Sequence, residues 1–390
     1  MKAVVTGMIA TYGMGGVARD YGQYALGLEQ LGFEVYYLED TGVPAYSYIP
    51  ATGDYVEDPS DGIRFLGESL AAFSPTLAHR WHIRAVDGQT FGINAAEMAE
   101  IVAGADLFLN VSGSSVLREE YQRCRRTVFI DTDPGWNHFV IFPRWDRKPA
   151  AERALGYRSH DSFFTYAQRI GQPDCPLPDF GIEWLATRPP VVLDDWQAKP
   201  PGTHWTTVMS WSNYPDPLVH NGVSYGAKER EFERIENVPE QTLASFEVAI
   251  NSVNGDAPRE RWRSLGWSVV EANPVSRTAN SYREYIERSR GEFSVAKNVY
   301  TATRCGWFSC RSVCYLAAGL PVVLQNTGFS ELMAVGSGVL SFANCDEAVS
   351  AIESVESDYA SHRRAARELA REYFDANAVL GDLLGHIGLD

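Results

Sequence analysis

The sequence predicts an α/β protein of two doubly wound domains facing each other across a cleft, and three observations carry that prediction. The chain has 390 residues, which at roughly 150 residues per domain means two or three domains rather than one core. Its opening 40 residues run strand, glycine-rich turn, helix, strand. A second series of the same kind starts after a proline-rich passage near the middle.

The elements follow in order. Lys2–Thr6 is a short β-branched run, a glycine-rich stretch extends to Gly16, and Val17–Leu31 carries apolar residues at helical spacing until Gly32. Phe33–Leu38 reads as the next strand, so the unit is βαβ with parallel strands. Asp106–Val111 and Thr127–Ile130 are apolar runs that end in SGSS and DTDPG, the pattern of buried parallel strands with a polar carboxyl edge. Residues 39–64 and 143–160 read as surface loops, and Ser162–Tyr166 as the last strand of this half. Prolines at 173, 189, 190, 200 and 201 mark a connection, with the boundary between 185 and 203.

Strands are then expected at Thr206–Ser210, Trp267–Val270 and Pro321–Leu324. Leu243–Val248 suits either strand or helix. Helices are expected at Ser281–Ser289, Ser309–Ala318, Asp346–Val355, Tyr359–Phe374 and Asn377–Ile387.

Composition sets limits on function. Hydrophobic residues make up 45% and charged residues 22%, as in ordinary folded proteins. Fifty acidic against 34 basic residues give a net charge of −16, which argues against a general nucleic-acid surface. The six cysteines, at 124, 175, 305, 310, 314 and 345, show no paired CxxC spacing and read as reduced thiols of a cytoplasmic protein. The first residues read as a strand rather than a signal peptide, and no run approaches the roughly 20 apolar residues of a membrane helix.

Three motifs stand in order between Arg304 and Ala348. YLAAGLPVV (Tyr315–Val323) is a helix, tight glycine turn and strand. TGFSE (Thr327–Glu331) follows it, and then GSGVLSF (Gly336–Phe342) before DEA. The segment resembles the donor-binding half of GT-B fold glycosyltransferases. That resemblance implies a Rossmann-like acceptor-binding domain over 1–190, a Rossmann-like nucleotide-sugar domain over 191–375, and a terminal helix over 376–390 crossing back to the first domain. The sequence departs from the family at one place. Retaining members often carry two glutamates eight residues apart, and the matching positions here are Gly306 and Cys314.

Transfer of a sugar from a nucleotide needs stabilisation of the diphosphate leaving group, a need met by cations and helix amino termini. The candidates are Lys228, Lys297, Arg304 and Arg311, with Ser309 and Ser312 at the same helix start. Glu331 stands where it could accept bonds from ribose or sugar hydroxyls, and Thr327, Gly328 and Phe329 would line the approach. Each also has a plain reading, as a solvated charge, a cap or core.

In the first half, Gly13, Gly15 and Gly16 form the glycine loop, expected to face the cleft. GMGGVA also loosely fits a dinucleotide fingerprint, with Asp40 in the place of a ribose carboxylate. IDTDPGWNH places Asp131 and Asp133 after an apolar strand, with His138 beyond. Asp133 or Asp131 could serve as general base, with His138 competing; the plain alternative is a capped turn. A DxD pair can also hold a metal, but it lies in the half opposite the donor site, so no metal and no cofactor beyond the nucleotide-sugar co-substrate are expected. His160 and Asp161 rank below.

The expected function is metal-independent transfer of a sugar from a nucleotide sugar to a small-molecule or glycan acceptor, in metabolite tailoring or polysaccharide synthesis. A homodimer is compatible with it, and nucleic acid is not expected as a partner. The alternatives are a GT-B-like nucleotide-sugar epimerase or hydrolase, a dinucleotide-dependent oxidoreductase, and a noncatalytic nucleotide-sugar binder.

Overall fold

A computed structural model describes residues 1–42, 47–50, 52–211, 217–251 and 257–389. The chain forms two units. One comprises Met1–Ala167, Pro178–Val192 and Ala376–Asp390; the other comprises Gln168–Leu177 and Leu193–Asp375.

The first unit is built on a sheet of eight strands: β1 Lys2–Thr6, β2 Glu34–Glu39, β3 Trp81–Arg84, β4 Thr90–Gly92, β5 Leu107–Val111, β6 Thr127–Asp131, β7 Ser162–Thr165 and β8 Trp184–Ala186. Their spatial order is β8-β7-β6-β5-β1-β2-β3-β4. All neighbours are parallel except β3 with β4. Strands β5, β6 and β1 carry almost only buried residues, because helices cover both faces of a parallel sheet. Helix α1, Gly15–Gln30, makes the first crossover. The terminal helix, Ala376–His386, packs on it, and a Cβ added at Gly27 would stand 2.6 Å from the Leu380 Cδ1. Only glycine allows the two helices that approach.

The second unit is built on a sheet of six strands, β9 His204–Ser210, β10 Ser245–Asn251, β11 Trp267–Glu271, β12 Gly291–Ser294, β13 Val322–Gln325 and β14 Val339–Phe342. Their order is β11-β10-β9-β12-β13-β14, and every pair is parallel. In order of sequence this is 3-2-1-4-5-6, the Rossmann arrangement, whose topological switch point lies between β9 and β12. Trp205, Phe232, Trp262, Trp267 and Phe293 are all at most 3% exposed and form one aromatic core behind that sheet. Each such side chain contributes roughly 1.5–3 kcal/mol by leaving water.

Three stretches differ from expectation, and a fourth, left open, resolves as a strand. Residues 168–177, expected in the first domain, belong to the second unit, because Arg169 is bonded there to the Arg304 carbonyl at 2.8 Å and to Asp174. The run 243–248, which suited either strand or helix, enters strand β10 at Ser245. The stretch 39–64, of which residues 43–46 and 51 lie outside the described residues, is not all loop: helix α2, Ser60–Phe73, begins inside it. Likewise 143–160 holds short helical turns, Phe142–Asp146 and Ala150–Arg153.

Candidate functional site

In the second unit the site grows from the switch point. Strand β12 ends at Ser294, the chain passes Lys297 into the short helix Asn298–Thr303, and a loop then leads into helix α3, Cys310–Ala317. Ser309 caps α3, its Oγ accepting from the Arg311 amide at 3.2 Å. This cap points the Arg311 side chain back across the sheet at the switch. Its Nε donates to Glu292 on β12 at 2.6 Å, one terminal nitrogen to the Val208 carbonyl on β9 at 2.8 Å, and the other to the Ser294 Oγ at 2.6 Å. Glu292 is fully buried and the Arg311 side chain 12% exposed. Burial opposes the charge on Arg311, but the Glu292 carboxylate outweighs it and holds the guanidinium protonated.

Around this pair the structure gathers the other cations and hydroxyls. Lys228 is buried and lies within electrostatic reach of Arg311, Glu292 and Lys297. Lys297 stands over the Tyr300 ring, which stacks on Trp307 with centroids 4.3 Å apart. A pocket opens beside them, lined by Ser294, Val295, Ala296, Trp307, Phe308, Ser309, Arg311, Ser312, Gln325, Thr327 and Phe329. Two buried oxygens here, the Ser312 Oγ and one Glu292 oxygen, find no hydrogen-bond partner among the described residues. Unmet polar atoms beside cations are what a polar anionic ligand satisfies.

Among the remaining donor-side candidates, Thr327 and Phe329 line the pocket while also being tied into the fold. Thr327 donates its hydroxyl to the Trp307 carbonyl at 2.6 Å, and the Gly328 amide donates to Asn326 at 2.8 Å, so both hold the loop. Phe329 is 2% exposed and packs edge-on against Phe308. Glu331 is gripped by Arg169, at 2.9 Å, and by Arg304. Arg304, in a left-handed conformation with φ +47°, also binds Asp174 at 2.8 Å. Neither Arg304 nor Glu331 belongs to the cation group; they form a closed quartet of two arginines and two carboxylates. Gly306 lies under it with φ +82°, and a Cβ there would come within 2.7 Å of Leu332 and 3.0 Å of Arg169. A side chain at this position would be crowded and its backbone strained.

Sequence reasoning missed Glu292 and Arg169. A carboxylate inside the buried run GEFS was a legible signal for the first, since a buried charge requires a partner. Nothing local announces the second.

In the first unit, Asp131 closes β6 and is fully buried. It accepts from the Asn137 amide at 2.7 Å and the Thr165 hydroxyl at 2.8 Å, and faces the His138 Nε2 at 3.0 Å. The His138 Nδ1 lies 2.7 Å from the Pro178 carbonyl, and the ring packs among Phe142, Phe180 and Trp184. Asp131 and His138 therefore build the loop from inside and present nothing to a substrate. Asp133 differs: it is half-buried and caps the next helical turn through the Trp136 amide at 3.5 Å. Asp40 is fully buried and bound by Arg118, at 2.9 Å, and by the Tyr121 hydroxyl at 3.0 Å. It cannot hold a ribose, which removes the support for the oxidoreductase reading. Asp161 is likewise taken up, accepting from the Thr127 amide at 2.7 Å.

The glycine loop begins after β1 with the short helix Ile9–Tyr12, which Gly13 ends in a left-handed turn; Gly15 and Gly16 open α1. Beneath it Glu39, 2% exposed, accepts from the Ala10 amide at 2.7 Å, the Thr11 amide at 3.2 Å and the Tyr37 hydroxyl at 2.8 Å. Burial raises its carboxyl from 4.5 to about 7, against the pull of those bonds. His160 moves oppositely. Burial pushes it from 6.5 to about 4, with its Nδ1 donating to the Tyr157 carbonyl at 2.7 Å and its Nε2 accepting from Asn110 at 3.1 Å.

These two groups oppose each other in linkage. Glu39 binds its proton more tightly when folded, so its contribution is complete below pH 4.5 and is lost as pH rises towards 7. His160 binds its proton less tightly when folded, so its contribution is complete above pH 6.5 and is lost as pH falls towards 4. Glu39→Gln is therefore expected to expose the His160 slope. Between pH 6.5 and 4.5 its urea midpoint should fall more steeply on acidification than that of the wild type. Parallel profiles for the two proteins would contradict the assignment.

No protein-family model matches the sequence, and no curated protein sequence does. Solved structures match over the full length. HepE from Anabaena, in complex with UDP and glucose, has a TM-score of 0.57 at 10% identity, covering 100% of this chain and 99% of that one. An α-glucosyltransferase in complex with UDP and a 13-mer DNA containing an HMU base has a TM-score of 0.56 at 11% identity, covering 100% of each chain. An α-glucosyltransferase in complex with UDP has a TM-score of 0.55 at 11% identity, covering 99% of each. The fold is thus the one of GT-B glycosyltransferases, with two Rossmann-like domains in one chain.

Proposed function

We propose that this protein is a glycosyltransferase that moves a sugar from a nucleotide-sugar donor to a small-molecule or glycan acceptor. The observation that carries the reading is the buried Arg311–Glu292 pair at the switch point of the second unit, with Lys228, Lys297 and two hydroxyls around it. Ligands of open α/β sheets bind at that position. The full-length likeness to glucosyltransferases solved with UDP supports the same chemistry.

In this reading Arg311 and Lys297 meet the charge on the diphosphate, and they stabilise it further as the glycosidic bond breaks and charge passes to the leaving group. The transfer needs no metal, because side-chain cations supply that charge. Asp133 is the candidate base for the acceptor hydroxyl, being the carboxylate of its loop with an exposed edge. Among the described residues no helix is long and apolar enough to cross a membrane. Among the described residues no disulfide joins the six cysteines, and the reading places the protein in the cytoplasm.

The test is a thermal-shift panel of UDP, GDP, ADP and dTDP. Binding at one hundred times Kd stabilises by about 2.7 kcal/mol, so at least one nucleotide should raise the melting temperature clearly. If none does, the donor-site reading fails.

A further inference from the structure

The pocket of the second unit takes part of its wall from two loops, and one side chain holds both from behind. Trp307, Phe308 and Ser309 come from the loop before α3, and Thr327 and Phe329 from the loop after β13. The Gly306 amide donates to the Thr327 carbonyl at 2.8 Å, and the Thr327 hydroxyl donates to the Trp307 carbonyl, so the loops are tied to each other. Arg169 lies across both. A Cβ added at Gly306 would stand 3.0 Å from its Cγ, and one added at Gly328 would stand 2.9 Å from its Cδ. The side chain thus runs along a slot that two glycines leave open, and beyond them its guanidinium donates to the Arg304 carbonyl at 2.8 Å, to Asp174 at 2.8 Å and to Glu331 at 2.9 Å.

This is not a surface bridge. The Arg169 side chain is 8% exposed, while Asp174 and Glu331 are 46% and 48% exposed. It bonds a backbone carbonyl as well as two carboxylates, which fixes the plane of the guanidinium. The chain also makes an excursion to deliver it, leaving the first unit after Ala167 and rejoining it at Pro178. Within that excursion the Arg169 amide donates to the Cys305 carbonyl at 3.0 Å. Backbone and side chain of one residue therefore grip the stretch from Arg304 to Gly306, where the first loop begins.

We infer that Arg169 is a positioning residue for the nucleotide pocket: it stands outside the lining and holds the two loops at the spacing the ligand requires. The inference rests on the donor-site reading. A wall that must be ordered when the ligand arrives subtracts that cost from affinity, and a wall already fixed does not.

The experiment is calorimetric titration with UDP at a temperature where each protein is fully folded. Arg169→Met keeps a stem over the glycines and removes the guanidinium, and UDP should bind about tenfold more weakly to it than to the wild type. The fluorine resonance of 5-fluorotryptophan at Trp307, assigned by its loss in Trp307→Phe, should shift in the free Arg169→Met protein. A role in stability alone would lower the urea midpoint and leave both readouts in place. Asp174→Ala is the second variant, and it decides the matter if Arg169→Met does not fold. Asp174 is half exposed, so its loss should leave the fold intact. Removing a negative charge favours an anionic ligand through the general field. Release of Arg169 and Arg304 has the opposite sign, and UDP should bind about threefold more weakly.

Unchanged or tighter UDP binding in either folded variant overturns the inference and leaves the donor site standing. Failure of the wild-type protein to bind UDP or any of the other nucleoside diphosphates overturns the donor-site reading and this inference with it.

Discussion

Arg311→Ala is expected to lower the stability of the protein by about 3–5 kcal/mol, the cost of leaving one member of a buried ion pair behind. Glu292 is fully buried, one of its oxygens already lacks a partner, and the other would lose the bond it receives at 2.6 Å. The Val208 carbonyl and the Ser294 hydroxyl would lose donors as well. A urea midpoint measures the loss, and a value under about 1 kcal/mol would mean that the pair behaves like a surface bridge. The same substitution should abolish the UDP thermal shift, but an unstable protein gives that result trivially. Arg311→Met with Glu292→Gln separates the two effects. Removing both charges restores most of the stability, while the nucleotide site, without its central cation, should stay empty. Recovery of UDP binding in the double variant would remove Arg311 from the diphosphate site.

How far this arrangement was legible in the sequence depends on how local each interaction is. Lys2–Thr6 and Thr127–Asp131 announce themselves as strands by uninterrupted apolar residues, and the cap at Ser309 by a hydroxyl in front of a helical pattern. The helix Ser60–Phe73 carries Ile63, Leu66, Leu70 and Phe73 at helical spacing, yet Pro59, Gly62 and Gly67 make the same stretch look like a loop. Packing of its apolar face decides the matter. For the site, residue types were readable but partners were not. Arg304, Arg311 and Glu331 all looked alike as charged residues beside a glycine turn. Arg311 finds Glu292 because the switch point brings β9 and β12 together, and Glu331 finds Arg169 because a segment from a distant part of the chain returns to the second unit. The acidic loop shows the same limit. Alternation along a strand would put Asp131 and Asp133, two residues apart, on the same side, but the strand ends at Asp131, and only tertiary packing reveals which of the two is buried.

That difference between the two aspartates gives the second large effect. Asp131→Ala removes the acceptor shared by Asn137, His138 and Thr165 in a site closed to water. The expected loss is again about 3–5 kcal/mol, because buried polar groups are left without partners. Its urea midpoint should drop sharply, and any loss of turnover should follow the unfolded fraction. Asp133→Asn should behave oppositely. Asn caps a helix about as well as Asp, so stability should move by no more than about 0.5 kcal/mol. Asn, however, cannot accept a proton. If Asp133 is the base for the acceptor, turnover should fall by roughly 10²–10⁴ while UDP affinity stays at the wild-type value. A folded Asp133→Asn protein with wild-type turnover would move the base out of this loop. A well-folded Asp131→Ala protein that binds UDP but cannot turn over would give the chemical role to the buried carboxylate instead, against the geometry that encloses it.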